Sequence, residues 1–380
     1  LRLFLNSTSF PISVNAEAWR FPSQANWFFK LAGRLYKRSM TFKPDYPFEG
    51  EPHPGETREV ANGIWWIRMP LPFALNHINL WLLDDGDGWT IVDTGVKSDE
   101  IKACWKTIEA RHFTDKPVKR VIVTHFHPDH VGLAGWLCER YGVELTMSLA
   151  EWIQARLNAV EPGELKAAAM HPFYARIGFD EEQLALLPER GGYFKKVTTI
   201  PPDNFNRMEE GDEITIGGHA WRVILTEGHA LKHACLYCAE KNILISGDQV
   251  LPRITTNVSV YPQEPEANPL HLFLTSMVKF KDLPADTLVL PSHDWPFRGL
   301  HGRLAHMVEH HDERLDEALE ACVGGATAID VLHRLFTRKL DNHQIFFAIG
   351  EALAHLHYLM GQGRVQRETG PDGVYRFRAV

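Results

Sequence analysis

Hydrophobic and polar positions change period several times along this chain, and each change predicts an element. From about residue 58 the reading is β-rich: "GIWWIRMPLP" is followed by "INLWLLDDGDGWTIVDTG", in which Asp-Gly-Asp-Gly sits between two apolar runs as a hairpin turn. A helical spacing at about 98–111 precedes "VKRVIVTH", a short β-branched run that predicts a central strand. "HVGLAGWLCERYG" is apolar at helical spacing and closed by Gly142, and residues 148–190 read as largely helical. A second β-rich half holds "YFKKVTTI", a hairpin "DEITIGGHAWRVILTEGH" around Gly217 and Gly218, and another, "ACLYCAEKNILISGD", around Glu240 to Asn242. A helical segment near 269–281 and the strand "DTLVLPSH" complete that half.

Two runs of strands, each with helices attached, predict an α/β protein with two sheets face to face and helices outside. Beyond residue 300 the strand pattern gives way to helices in "LAHMVEHHDERLDEALEACV", "TAIDVLHRLF" and "NHQIFFAIGEALAHLHYLMGQG". The chain ends in "RVQRETGPDGVYRFRAV", two short strands around Gly-Pro-Asp-Gly, so this end resembles a winged-helix module. The expected organisation is an extension over 1–57, a main domain over 58–322 and a winged-helix-like C-terminal helical domain over 323–380.

Composition narrows the function classes. A net charge of -8 argues against a generally basic nucleic-acid-binding surface, and 44% hydrophobic with 23% charged residues is ordinary for a globular chain. No run approaches the roughly 18 apolar residues that span a bilayer, so no membrane partner is expected. The five cysteines are odd in number and set in apolar surroundings, which reads as reduced thiols in a cytoplasmic compartment. Cys235 and Cys238 lie three apart on a strand, on opposite faces, and are read as buried rather than metal-binding. Residues 1–39 carry Arg2, Arg20, Lys30, Arg34, Lys37 and Arg38 against Glu17, and the first methionine is Met40. That segment fits a transit peptide, which would make the location mitochondrial, or an upstream extension, or a piece packed on the domain.

The stretch that carries chemistry is "VIVTHFHPDHVG", residues 121–132. At a strand end residues two apart face the same way, so His125 and His127 can approach one ion together. Pro128 stiffens the turn, and Asp129 and His130 begin the next helix beside them. Imidazole suits zinc, iron or manganese, and a carboxylate adds charge compensation. Further candidates end three apolar runs: His229 in "ILTEGH", Asp248 in "ILISGD" and His293 in "LVLPSH", with Gly228 and Gly247 allowing close approach. Eight of the 20 histidines lie beyond residue 300, where His310/His311 and His355/His357 read as solvated or interhelical.

The ordered set H-x-H-x-D-H, Gly-His, Gly-Asp and Ser-His resembles the metallo-β-lactamase superfamily over about residues 58–300. The resemblance implies an αββα sandwich. It implies that His125, His127 and His229 hold one metal, that Asp129, His130 and His293 hold a second, and that Asp248 bridges both. Asp93, in "IVDTG", matches the family's early supporting aspartate. Two divalent ions, zinc ahead of iron or manganese, would generate a bridging hydroxide near neutral pH, with Asp129 steering it or passing on a proton.

Aspartate at 248 with the Asp129-His130 pair makes the site resemble glyoxalase II, a thioester hydrolase. The ending departs from that enzyme and resembles β-lactamase-like proteins that include a mitochondrial endoribonuclease. The expectation is a dinuclear hydrolase of a small-molecule thioester, lactone or related ester. The alternatives are an endoribonuclease or phosphodiesterase using Arg364, Arg367, Arg376 and Arg378, and a mononuclear-iron persulfide dioxygenase. Arg298 and His301, within two helical turns of His293, are expected to bind a substrate carboxylate or phosphate, or Arg298 to brace the loop. Residues 251–268 should form a loop at the metal rim, with Trp295 and Phe297 as pocket wall or core. A homodimer is compatible with all of this.

Overall fold

A computed structural model describes residues 42–72 and 75–380; the segment 1–39 lies outside them. Seven strands form the first sheet: β1 (Thr57–Ala61), β2 (Ile64–Pro70), β3 (His77–Asp84), β4 (Trp89–Val92), β5 (Val118–Ile122), β6 (Leu145–Ser148) and β7 (Phe205–Met208), in that order. β1 to β4 pair antiparallel and β4 to β7 parallel. The second sheet holds β8 (Glu213–Ile216), β9 (His219–Thr226), β10 (His233–Cys238), β11 (Ile243–Gly247) and β12 (Leu288–Pro291), ordered β12-β11-β10-β9-β8.

Period-two alternation sorts the side chains between two cores. Trp66, Trp81, Val92 and Ile122 leave the first sheet on one face and meet Trp221, Val223, Leu236, Ile245 and Leu290 of the second. Ile67, Leu80, Leu82, Ile91 and Val121 leave on the other face and pack under Ile101, Trp105, Ile108 and Leu137 of the helices Asp99–His112 and Ala134–Tyr141. Each large apolar side chain so buried contributes about 1.5–3 kcal/mol. The layers are those of the αββα sandwich. At the end away from the ligand residues, Asp85 in the β3–β4 turn accepts from Gly217 N (2.9 Å) in the β8–β9 turn, tying the sheets together.

Two parts of the pattern read differently in three dimensions. "YFKKV" is not a strand: it closes the helix Leu187–Val197, which follows the helices Leu149–Val160, Gly163–Arg176 and Glu181–Leu184. Gly191 and Gly192 do not break that helix, whose backbone presses against Gly163: a Cβ at Gly191 would strike the Gly163 carbonyl, and one at Gly163 would strike Gly192. β6 and β7, only four residues each, escape the sequence reading because short strands are defined by their neighbours.

The C-terminal region consists of the helices Leu300–Ala321, Ala328–Leu335 and Gln344–Gly361 and the hairpin β13 (Val365–Thr369) and β14 (Tyr375–Ala379). His311, His355 and His357 are buried between elements, so the solvated reading is replaced by the interhelical one. The described part of the segment ahead of residue 58 is built into the fold: Asp45 pairs with Arg298 through the backbone, and Glu51 accepts from Trp295 Nε1 (2.7 Å).

Candidate metal centre

β4, β5, β9, β11 and β12 end at one rim, and the residues that follow them converge. Two groups result, His125, His127, His229 and Asp248 in one and Asp129, His130 and His293 in the other, each with its donor atoms within 4.8 Å of one another. In the first, His125 Nε2 lies 2.9 Å from His127 Nδ1 and 3.2 Å from His229 Nε2, and His229 Nε2 lies 3.4 Å from Asp248 Oδ2. Four donors bound tetrahedrally at about 2.0–2.1 Å from one zinc would stand about 3.3 Å apart. In the second, His293 Nε2 lies 3.5 Å from Asp129 Oδ2, and His130 Nε2 lies 3.7 Å from the same oxygen. Asp248 turns its other oxygen, Oδ1, to this group, 3.5 Å from both His130 Nε2 and His293 Nε2.

The residues fit a cation on a second count. His130 Nε2 and Asp248 Oδ1 are buried without a hydrogen-bond partner, which costs about 1–3 kcal/mol for each group left so. Meanwhile the remote nitrogens of four of the rings are held. His130 Nδ1 donates to Asp93 (2.8 Å), His229 Nδ1 to the Asn257 carbonyl (2.8 Å), His293 Nδ1 to the His77 carbonyl (2.9 Å) and His125 Nδ1 to Thr124 Oγ1 (3.0 Å). The Thr124 hydroxyl in turn donates a hydrogen bond to Asp93 (2.9 Å). Fixing Nδ1–H leaves Nε2 as a lone-pair donor aimed inward, the usual support of a ligating histidine.

Burial, and then the neighbouring imidazoles, holds His125 well below the usual histidine range, and burial with His229 does the same for His127. Both are neutral, the ligating form. Burial opposes charge on His130 and His293, but Asp93, Asp129 and Asp248 outweigh it at His130, and Asp248 with Asp129 outweighs it at His293, so both are raised. Asp248 mirrors them: burial is outweighed by His293 and His130, and its carboxyl is held well below the usual range. Protons thus gather where a divalent cation would supply the positive charge.

Asp93, at a backbone φ of 62°, also accepts from Thr124 N (2.8 Å). Arg298 is not brought to the site. After His293 the chain turns back along β12, pairing Phe297 with Val289, and the Arg298 guanidinium reaches the Asp286 carbonyl at the far end of that strand. The expected two helical turns are absent there, since the helix begins at Leu300. His301 sits in its first turn with Nε2 buried and unpartnered. Trp295 and Phe297 are core rather than pocket wall: Trp295 packs on the inter-sheet cluster and Phe297 is fully buried.

Several residues the sequence reading passed over hold the site together. Glu151, fully buried in the first turn of Leu149–Val160, accepts from Phe126 N (2.9 Å) and Lys232 N (2.5 Å), clamping the two loops that carry His125, His127 and His229. Burial pushes its carboxyl up to about 7. His233 Nε2 accepts from Asp248 N (3.1 Å); burial and then His229 keep it neutral, down at about 3. Gly247 lies against that ring, where a Cβ would collide, at φ 52°. His233 carried a signal, four residues after His229 at the start of an apolar run; Glu151 carried none.

The chain is similar to known families and structures. A family model described as the metallo-beta-lactamase superfamily matches residues 75–293, and one described as the metallo-beta-lactamase-like C-terminal domain matches 315–380. A beta-lactamase domain protein from Burkholderia ambifaria of known crystal structure is 46% identical, with a TM-score of 0.82 over 89% of this chain and 98% of that one. A probable metallo-hydrolase of Bacillus subtilis is 24% identical over 81% of this chain and 96% of its own length. A hydroxyacylglutathione hydrolase of Marinomonas is 25% identical over 67% of this chain and 74% of its own. With a family model covering its rim of ligand-type residues and a close structural match along most of its length, this chain belongs to the metallo-β-lactamase superfamily and is a metal-dependent hydrolase.

Proposed function

We propose that the protein is a dinuclear hydrolase of a small-molecule thioester, lactone or related ester. The observation that carries this is Asp248, whose two oxygens face two separate donor groups at 3.4–3.5 Å. His125, His127 and His229 would hold one ion, Asp129, His130 and His293 the other, and Asp248 both. A donor set of five imidazoles and two carboxylates suits zinc, with iron or manganese as the other candidates. When bound, two such ions supply an activated water at neutral pH and polarise the acyl oxygen.

The chain's own residues do the rest. Asp129 is the most open of the carboxylates, with 20% of its side chain exposed against 10% for Asp248, so it faces arriving substrate. From there its carboxylate can orient the attacking water, take its proton and return it to the departing thiolate or alkoxide. Glu151 and His233 keep the ligand loops from moving as charge shifts. The relative named hydroxyacylglutathione hydrolase supports a thioester among the substrates.

The nuclease reading loses support on the hairpin. Arg364, Arg367 and Arg376 are paired with Asp316, Glu266 and Asp372, which neutralises the strip that would meet phosphates. The oxygenase reading, with one iron, leaves the second donor group unexplained. The test is metal analysis of the purified protein together with a hydrolysis screen of thioesters, lactones, phosphodiesters and RNA, with Asp248→Ala as control. Two metals per chain and thioester or ester turnover lost in the variant is the expected result. Full turnover in Asp248→Ala would sink the dinuclear reading, and salt-sensitive RNA cleavage would move the assignment to the nuclease.

A further inference from the structure

Arg190, in the helix Leu187–Val197, is half-buried, yet it forms no ion pair with a carboxylate among the described residues. Its guanidinium lies instead over two rings of the helix Gln344–Gly361, 4.4 Å from the centroid of Phe346 and 5.5 Å from that of Phe347. Burial raises the nearby Tyr174 hydroxyl, and the Arg190 charge partly offsets that. Two other basic groups lie nearby. Lys166 and His343 are both lowered, chiefly by burial, with Arg190 adding to the effect in each. The acids in that neighbourhood act elsewhere: Glu161 offsets Lys166 and Asp341 offsets His343. A cation held on aromatic faces keeps its hydrogen-bonding fork free, and in a half-buried place that fork is matched to a carboxylate or phosphate.

The position relative to the metal centre gives this meaning. Phe194, one helical turn beyond Arg190, stacks on Phe126 at 6.5 Å, and the Phe126 ring lies 4.6 Å from that of His127. Tyr193, between them, is raised to about 12 by burial and then by the field of Asp129. Tyr261, in the loop that follows Asp248, is raised to about 12 by burial, and it feels both Arg190 and Glu151. Arg190 is thus separated from the His127 ring by one helical turn of about 5–6 Å and by the two ring contacts through Phe194 and Phe126, a distance of several side chains. That distance suits the far end of an extended substrate and is too long for the reacting carbonyl.

We infer that Arg190, floored by Phe346 and Phe347, is a subsite for a carboxylate or phosphate at the end of the substrate remote from the scissile bond. This rests on the hydrolase reading and narrows it to acyl compounds that carry such an anion. It also gives the C-terminal helix a task, since that helix supplies the aromatic floor.

The test uses three thioesters with one acyl group: a neutral N-acetylcysteamine thioester, a carboxylate-bearing glutathione thioester and a phosphate-bearing phosphopantetheine thioester. Wild type should prefer one or both anionic forms, mainly through KM. Arg190→Met should cut the anionic-to-neutral ratio of kcat/KM by about 10- to 100-fold, and Arg190→Lys should restore part of it. The carboxylate and phosphate arms show which anion the subsite takes. An unchanged ratio in a folded Arg190→Met protein with full metal content would overturn the subsite. If wild type hydrolyses none of the three, the thioester reading fails separately, and calorimetric binding of the matching thioethers then decides: Arg190-dependent binding of an anionic thioether upholds the subsite, and its absence ends it.

Discussion

Two sets of histidines are buried in this protein, and their surroundings set them apart. His125, His127, His130, His229 and His293 follow strands and aim nitrogens at shared points together with Asp129 and Asp248. His311 and His355 face each other across two helices at 3.3 Å; His355 Nδ1 donates to the Glu351 carbonyl one turn back, and the side chains acting on His311 are all basic. His311 also leaves Nε2 buried and unpartnered, so neither burial nor an orphaned nitrogen by itself makes a ligand. The difference is convergence with carboxylates. Strand ends at one rim can bring side chains from distant parts of the chain to a point, whereas two packed helices present one residue each.

The sharpest way to break this comparison is Asp248→Ala. It should empty the shared position, lowering metal content toward one or none per chain and turnover by well over the 10- to 100-fold that a supporting residue usually costs. Elemental analysis and initial rates measure both. Asp93→Asn comes next: one carboxylate oxygen accepts from Thr124 N and the other from His130 Nδ1, the carboxamide has a single acceptor oxygen for the two, and metal affinity at the second group should fall about 10- to 100-fold in a competition titration.

Glu351 tests the helical side. It is partly buried, accepts from Asn257 Nδ2 (3.4 Å), and burial pushes its carboxyl from 4.5 up to about 7. A raised native pKa means the folded chain holds that proton more tightly than the unfolded one. Stability therefore falls as pH rises from about 4.5 through about 7. Glu351→Gln should remove that slope, gaining on the order of 1–3 kcal/mol at pH 8 relative to pH 4.5, read from denaturant midpoints at both pH values. Parallel curves for variant and wild type would refute the assignment. The smallest effect belongs to His311→Leu combined with His355→Leu. Removing both partners together should change stability by less than about 1.5 kcal/mol and leave metal content untouched. A loss of metal would mean that the two histidine sets are coupled.

The convergent residues are legible because His125, His229, Asp248 and His293 follow apolar runs, where a polar residue has few structural uses, and His127, Asp129 and His130 crowd the turn after one of them. The sandwich was legible because period two recurs in two separate blocks of the chain. Chain direction is not encoded in sequence distance. Arg298 looked close to His293 by sequence distance, but an antiparallel return along β12 carried it away from the rim. "YFKKV" has strand-like composition, and only the close approach to Gly163 makes a helix of it. Glu151 carries no signal in the sequence, because its burial depends on two loops closing over it.

By itself, then, the sequence determined the alternation that builds two sheets and the donor types at their ends, since both depend on local period and residue chemistry. Only the tertiary structure decided that the two oxygens of Asp248 face different groups, that Glu151 and His233 brace the loops, and that Arg190 rests on Phe346 and Phe347. Those relations join residues up to more than 150 positions apart. No local pattern encodes such a distance, because it is set by how whole elements pack.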